Sequence, residues 1–150
     1  MMRPTSGECR TLLQEIYLQD FTSGIYAFYL KALRDATGRR LLEDYLHAEA
    51  ERRGRIEDHL GRAGFSVQPL PGRLLRAAGG LYGRLTSLLG SRVMLRIVLS
   101  ASRRASRRAC AHLGPEDRPD LVYLGMLRAK SVGDLYSALQ QHLIDTRPRR

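Results

Sequence analysis

Residues 41–60 read LLEDYLHAEAERRGRIEDHL, and their spacing decides the fold. Leu42, Leu46, Glu49, Arg53, Ile56 and Leu60 recur every three or four positions, the interval at which side chains stack on one face of an α-helix. The helix runs to about Ala63, and Gly64 ends it. Its seam is apolar at both ends and charged at half height, so it predicts a bundle with a polar centre rather than a uniformly oily core.

The flanking sequence repeats that period. On the N-terminal side Thr11-Leu-Leu-Gln14 reads as a capping-box start for a helix to about Ala36, stopped by Thr37-Gly38. Its seam is Leu12, Ile16, Gln19, Ser23, Tyr26 or Ala27, and Leu30, again polar in the middle. On the C-terminal side Phe65 to Gly72 holds Pro69 and Pro71 and reads as a connection. From Arg73 to Leu89 the residues Leu74, Ala78, Leu81, Leu85, Leu88 and Leu89 form one broad apolar face, while Arg73, Arg76, Gly80, Gly83, Arg84 and Ser87 line the other, which makes a basic amphipathic helix. After Gly90-Ser91 a helix to about Leu113 carries Met94, Val98, Ala101, Ala105 and Ala109 on one stripe, an alanine row that permits close contact. Gly114-Pro115 stops it, Asp117 can cap the next helix with Pro119 in its first turn, and Leu121 to about Ile144 makes the last. These lengths predict an all-α, up-and-down four-helix bundle with an extra amphipathic helix at the middle crossing. At 150 residues and 43% hydrophobic content it should be a single domain, residues 1–150, with 1–10 and 146–150 flexible.

Charge is distributed unevenly. The formal net charge is +10, and residues 61–114 hold ten arginines with no aspartate or glutamate. Residues 73, 76, 84, 92 and 96 are arginines that interrupt every apolar run short of a membrane span. Cys9 and Cys110 lie outside any metal-ligand spacing and fit unpaired thiols in a reducing compartment. No glycine-rich phosphate loop, nucleophile elbow or Cys-x-x-Cys pair occurs. Asp44 and His47 have a carboxylate–imidazole spacing but sit off the seam, His59 reads as part of a polar helix face, and His112 and His142 suit the negative ends of helices.

Bundles that hold two metal ions place a Glu on each of two helices and Glu-x-x-His on each of the other two. Here Ala48-Glu49-Ala-Glu51-Arg52 keeps the Glu, but Arg52 stands where the imidazole would be; a guanidinium has no lone pair to offer and can only replace the metal's charge with its own. With Ala78-Gly79, Gly83, Thr86 and Leu88-Leu89-Gly90, preceded by Pro69 and Pro71, the chain from about Leu18 to Tyr136 resembles the demethoxyubiquinone hydroxylases. These are ferritin-like, membrane-associated di-iron enzymes of ubiquinone biosynthesis. The resemblance implies a ferritin-like bundle. It places the family's ligand positions on Gln19 (or Thr22 in another register), Glu49, Arg52, near Ser102 and Arg103, and near Ser131 and Asp134. Glu49 alone keeps a ligand there, with Asp134 the second candidate.

The expected function is therefore non-catalytic, with no metal: a ferritin-like protein at the inner, cytoplasmic face of a membrane, holding lipid or quinone as an accessory to ubiquinone biosynthesis. Arg73, Arg76, Leu81, Arg84, Leu85 and Leu88 are the expected lipid-binding residues, and Arg92, Arg96, Arg103, Arg104, Arg107 and Arg108 form a basic patch. A solvated patch offset by the acids of the second helix is the plain alternative. An active hydroxylase with two iron ions in a rearranged site and a sequence-independent nucleic-acid binder are the functional ones; a second copy of the chain or another protein are further candidate partners.

Overall fold

Thr5 starts the first helix with a reciprocal cap: its hydroxyl accepts from the Glu8 N–H at 3.3 Å, and the Glu8 carboxylate accepts from the Thr5 N–H at 2.6 Å. In this computed structural model, which describes residues 5–111 and 118–148, α1 therefore spans Ser6–Ala32. This corrects the start expected at Thr11: Ser6 to Arg10 are helical, and Cys9 is fully buried, while residues 1–4 of the segment expected to be flexible lie outside the described residues. Thr5-x-x-Glu8 is a complete capping box, whereas the Thr11 hydroxyl bonds back to the Gly7 carbonyl, as a threonine inside a helix does.

A three-residue joint leads to α2, Ala36–Arg62. Asp35 is its cap, accepting from the Gly38 N–H at 2.8 Å, so Thr37-Gly38 opens a helix rather than stopping one. Pro69 and Pro71 likewise sit in the first turn of α3, Pro69–Ser87, where a missing N–H has no helical partner to lose. The connection before it is accordingly shorter than expected. α4 covers Ser91–Ala111 and α5 Pro119–Asp145. The cap expected at Asp117, and His112, lie outside the described residues.

Named contacts give the connectivity. Asp20, Gly24, Ile25 and Tyr29 of α1 lie in turn against Gly72, Gly80, Gly83 and Thr86 of α3, so those two helices run in the same direction. Gly38, at the start of α2, abuts Leu95, near the start of α4, which makes α2 and α4 parallel. Two antiparallel pairs, α1 with α2 and α4 with α5, are thus joined by α3, which at 1.5 Å per residue crosses about 28 Å. The core divides in two. One apolar cluster includes Ile25, Tyr29, Leu42, Met94, Val98 and Leu139, the other Cys9, Leu12, Ile16, Ile56, Leu60 and Leu124. Between them lies the polar layer that the mid-seam charges predict.

α3 attaches to the body by its backbone. Its buried residues are Gly72, Gly79 and Gly83, and a Cβ at Gly79 would overlap the Phe21 carbonyl oxygen. This corrects the reading of Gly80 and Gly83 as members of a polar face: glycines let two helix backbones approach as no larger residue can. The leucine face turns outward instead. Leu70, Leu74, Leu81, Leu85, Leu88 and Leu89 are all 60–81% exposed.

Candidate functional site

At half height α1, α2 and α5 contribute to one polar cluster, and α4 borders it. Glu49, 7% exposed, is its centre. From α1, Gln19 donates its amide to the Glu49 backbone carbonyl at 2.7 Å and to the carboxylate at 3.2 Å. From α5, the Ser131 hydroxyl donates to the other carboxylate oxygen at 2.8 Å. Arg52, one turn along α2, approaches Glu49 at 3.8 Å but bonds more closely to Glu15 at 2.5 Å and to the Leu124 carbonyl at 3.2 Å. Arg128 closes the group against Glu15 at 3.4 Å. Ser102 of α4 is buried beside the same cleft, its hydroxyl donating to the Leu99 carbonyl in its own helix.

Four of the positions singled out in the sequence thus meet, Gln19, Glu49, Arg52 and Ser131, while Ser102 and Thr22 line the same cleft. Asp134 does not; it is exposed, because the inward face of α5 carries Val132 and Leu135 on either side of it. Thr22 bonds to the Leu18 carbonyl within α1. Glu15, Arg128, Tyr26 and Tyr45 went unnoticed as members of the site. Glu15 lies one turn from Gln19, and that i, i+4 spacing was the available signal. Tyr26 and Tyr45 meet edge to face at 5.9 Å beside Glu49, and burial, with the Glu49 charge adding to it, pushes both phenols above their ordinary value.

Glu15 is taken up by the protonated guanidinia of Arg52 and Arg128, Glu49 by Gln19 and Ser131 with Arg52 at 3.8 Å, and among the described residues no imidazole lines the cleft. Among the described residues no group of three or more His, Cys, Asp or Glu side chains is placed to hold a metal ion.

A second polar cluster joins α1, α2 and α3. Asp20, 1% exposed, accepts from Arg53 and, at 2.9 Å, from Arg76. Arg53 is accordingly half-buried on this side of α2, and Arg52 is the arginine that faces Glu49, which corrects the seam expected at Arg53. His59, expected on a polar helix face, is largely covered and meets Asp120 of α5 at 3.4 Å; His142 bonds the Asp35 cap at 2.7 Å; Asp44 and His47 are exposed.

Arg92, Arg96, Arg103, Arg104, Arg107 and Arg108 are all exposed. In the plain alternative the acids of α2 offset them, but Glu51 and Glu57 pair with Arg55 and Arg53 of their own helix, and none of the six arginines forms an ion pair among the described residues. The alanine row of α4 also differs from expectation. Met94, Val98, Ser102 and Ala109 are buried, while Ala101 is exposed and Ala105 only half-covered, so the α1–α4 seam stays open as a cleft of about 390 Å³. Among the described residues no helix is long and apolar enough to cross a membrane. Compared with family models, characterised proteins and solved structures, the chain matches none.

Proposed function

We propose that this chain is a non-catalytic, metal-free ferritin-like bundle that docks on an anionic membrane surface through α3 and holds a lipid or quinone there, as an accessory to ubiquinone biosynthesis. Two antiparallel helix pairs joined by one long crossing support the ferritin-like part of the reading. Arginine and serine at the expected ligand positions support the non-catalytic part. The observation that carries membrane docking is the open leucine face of α3, edged by Arg73 and Arg84, neither of which pairs with a carboxylate among the described residues.

The energetics favour a bilayer over a second copy of the chain. Each leucine buried from water contributes roughly 1.5–3 kcal/mol, and each arginine near anionic headgroups about 1 kcal/mol. A second α3 would set Arg73 and Arg84 against like charges, since this helix carries no acid. Arginine can lay its stem along the apolar face and keep its head among phosphates.

Flotation with phosphatidylglycerol vesicles tests this. Binding is expected at low salt; Arg73→Glu with Arg84→Glu should weaken it most where screening is least, and Leu81→Ser with Leu85→Ser at every salt concentration. Absence of flotation at low salt, together with tight salt-sensitive DNA binding, would move the function to phosphate-backbone recognition. About two iron ions per chain in protein expressed with iron would overturn the metal-free part.

A further inference from the structure

The cleft between α1 and α4 has a definite chemistry. It continues past the polar cluster into a second hollow of about 650 Å³, the two sharing Glu15, Leu18, Arg52, Arg108 and Arg128. Both volumes lie in the roughly 300–1,000 Å³ range of small-molecule sites. Beyond the shared belt one end is walled by Phe21, Ile25 and Ile97 and the other by Leu12 and Leu121, so a polar middle is flanked by apolar grooves. Ala101 and Ala105 keep the seam open where larger residues would fill it.

Two features of the belt select a ligand. Arg52 and Arg128 are matched by Glu15 and Glu49, but among the described residues Arg104 and Arg108, a helical turn apart on the rim, pair with no carboxylate, and Arg104 bonds to the Ser100 hydroxyl. The cleft therefore carries positive charge in excess. Deeper in, both hydrogen bonds of the Gln19 amide nitrogen go to Glu49 oxygens, which fixes the orientation of that side chain; its Oε1 is buried and no group among the described residues donates to it. A buried acceptor left unmatched costs about 1–3 kcal/mol, so a ligand hydroxyl is favoured there.

We infer that the α1–α4 cleft binds a single-chain anionic lipid whose headgroup carries a hydroxyl, the anion on Arg104 and Arg108, the hydroxyl towards Gln19 and the chain in the apolar groove. A quinone ring, which only accepts hydrogen bonds and bears no charge, uses neither feature. The inference deepens the membrane reading and rests on it, but the cleft is separate from the α3 leucine face and is tested without a bilayer.

The experiment is titration calorimetry of the full chain with oleoyl lysophosphatidic acid below its micelle concentration, against monooleoylglycerol and a decyl-substituted quinone. Saturable one-to-one binding of the lysophosphatidic acid is expected. The neutral glyceride, which keeps chain and hydroxyl, should bind at least about tenfold more weakly, since charge-assisted bonds of this kind are worth about 1.5–3 kcal/mol and 1.4 kcal/mol is tenfold. Arg104→Glu with Arg108→Glu should give a similar loss, and Ala101→Phe, at an exposed position, should abolish binding with an unchanged melt. Equal affinity for acid and glyceride, tighter binding of the quinone, or no effect of Ala101→Phe would overturn the proposal. Leu81→Ser with Leu85→Ser should leave it intact: lost flotation with retained lipid titration removes only the docking role of α3, and the converse removes only the cleft.

Discussion

Gly24 of α1 faces the backbone of Arg76 in α3 so closely that a methyl group there would overlap the Arg76 carbonyl oxygen. Backbone cannot rotate away as a side chain can. Gly24→Ala and Gly79→Ala are therefore expected to destabilise the protein by about 1–3 kcal/mol or to detach α3. Gly54→Ala, inside α2 with open space around it, should stabilise by roughly 0.5–1 kcal/mol. Denaturant melts of the three variants decide it; equal effects would place the α1–α3 contact elsewhere.

Glu49 and Glu51 provide a matched pair of tests on α2. Glu49 is buried among Gln19, Ser131 and Arg52, whereas the Glu51 side chain is 67% exposed and, among the described residues, reaches only Arg55. Removing one partner of a buried charge cluster costs about 3–5 kcal/mol, and an exposed pair contributes about 0–1 kcal/mol. The thermal melt of Glu49→Ala should fall well below that of Glu51→Ala.

The α2 register was legible because Leu42, Ile56 and Leu60 announce a face that Glu49 then shares. The way α3 is held was not. A glycine contributes nothing to a hydrophobic pattern, so its leucines dominated the reading, and contact between two backbones leaves no trace in side-chain periodicity. Asp20 was hidden for another reason: it is buried only because Arg53 and Arg76, 33 and 56 positions away in sequence, converge on it. α1 shows no single clear seam because α3 covers one side of it and α2 another.

Substituting the outward leucines should cost the fold almost nothing. Leu81→Ser with Leu85→Ser is expected to change stability by no more than about 0.5 kcal/mol per site, as at other exposed positions. A large drop in melting temperature would mean that this face is covered within the folded protein.

Acid should act through Asp35. Burial raises its carboxyl, but the Gly38 N–H and His142 outweigh that effect and hold it below its ordinary value of 3.8. A lowered folded value gives stability that is present above the unfolded value and lost as pH falls through the folded one. Asp35→Ala should therefore be less stable than the parent at pH 7, by about 1 kcal/mol for the lost cap, with the gap closing below pH 3.8 in melts across pH.

The two thiols should separate cleanly. Cys110 is exposed, whereas Cys9 is buried and burial raises its thiol above the ordinary value, disfavouring the reactive thiolate. A thiol reagent should label one cysteine in the native protein and both after unfolding.

The glycine seam between α1 and α3 has a consequence for how this chain can change over time. Because α3 is secured by its glycine backbone, with Arg76 on Asp20 and Thr86 on Tyr29, its outward leucines are released from any duty to the interior. The outward residues could be exchanged wholesale, for other lipids or for a protein surface, without renegotiating the bundle beneath, so that attachment to a partner and integrity of the fold can diverge as two independent traits of one helix.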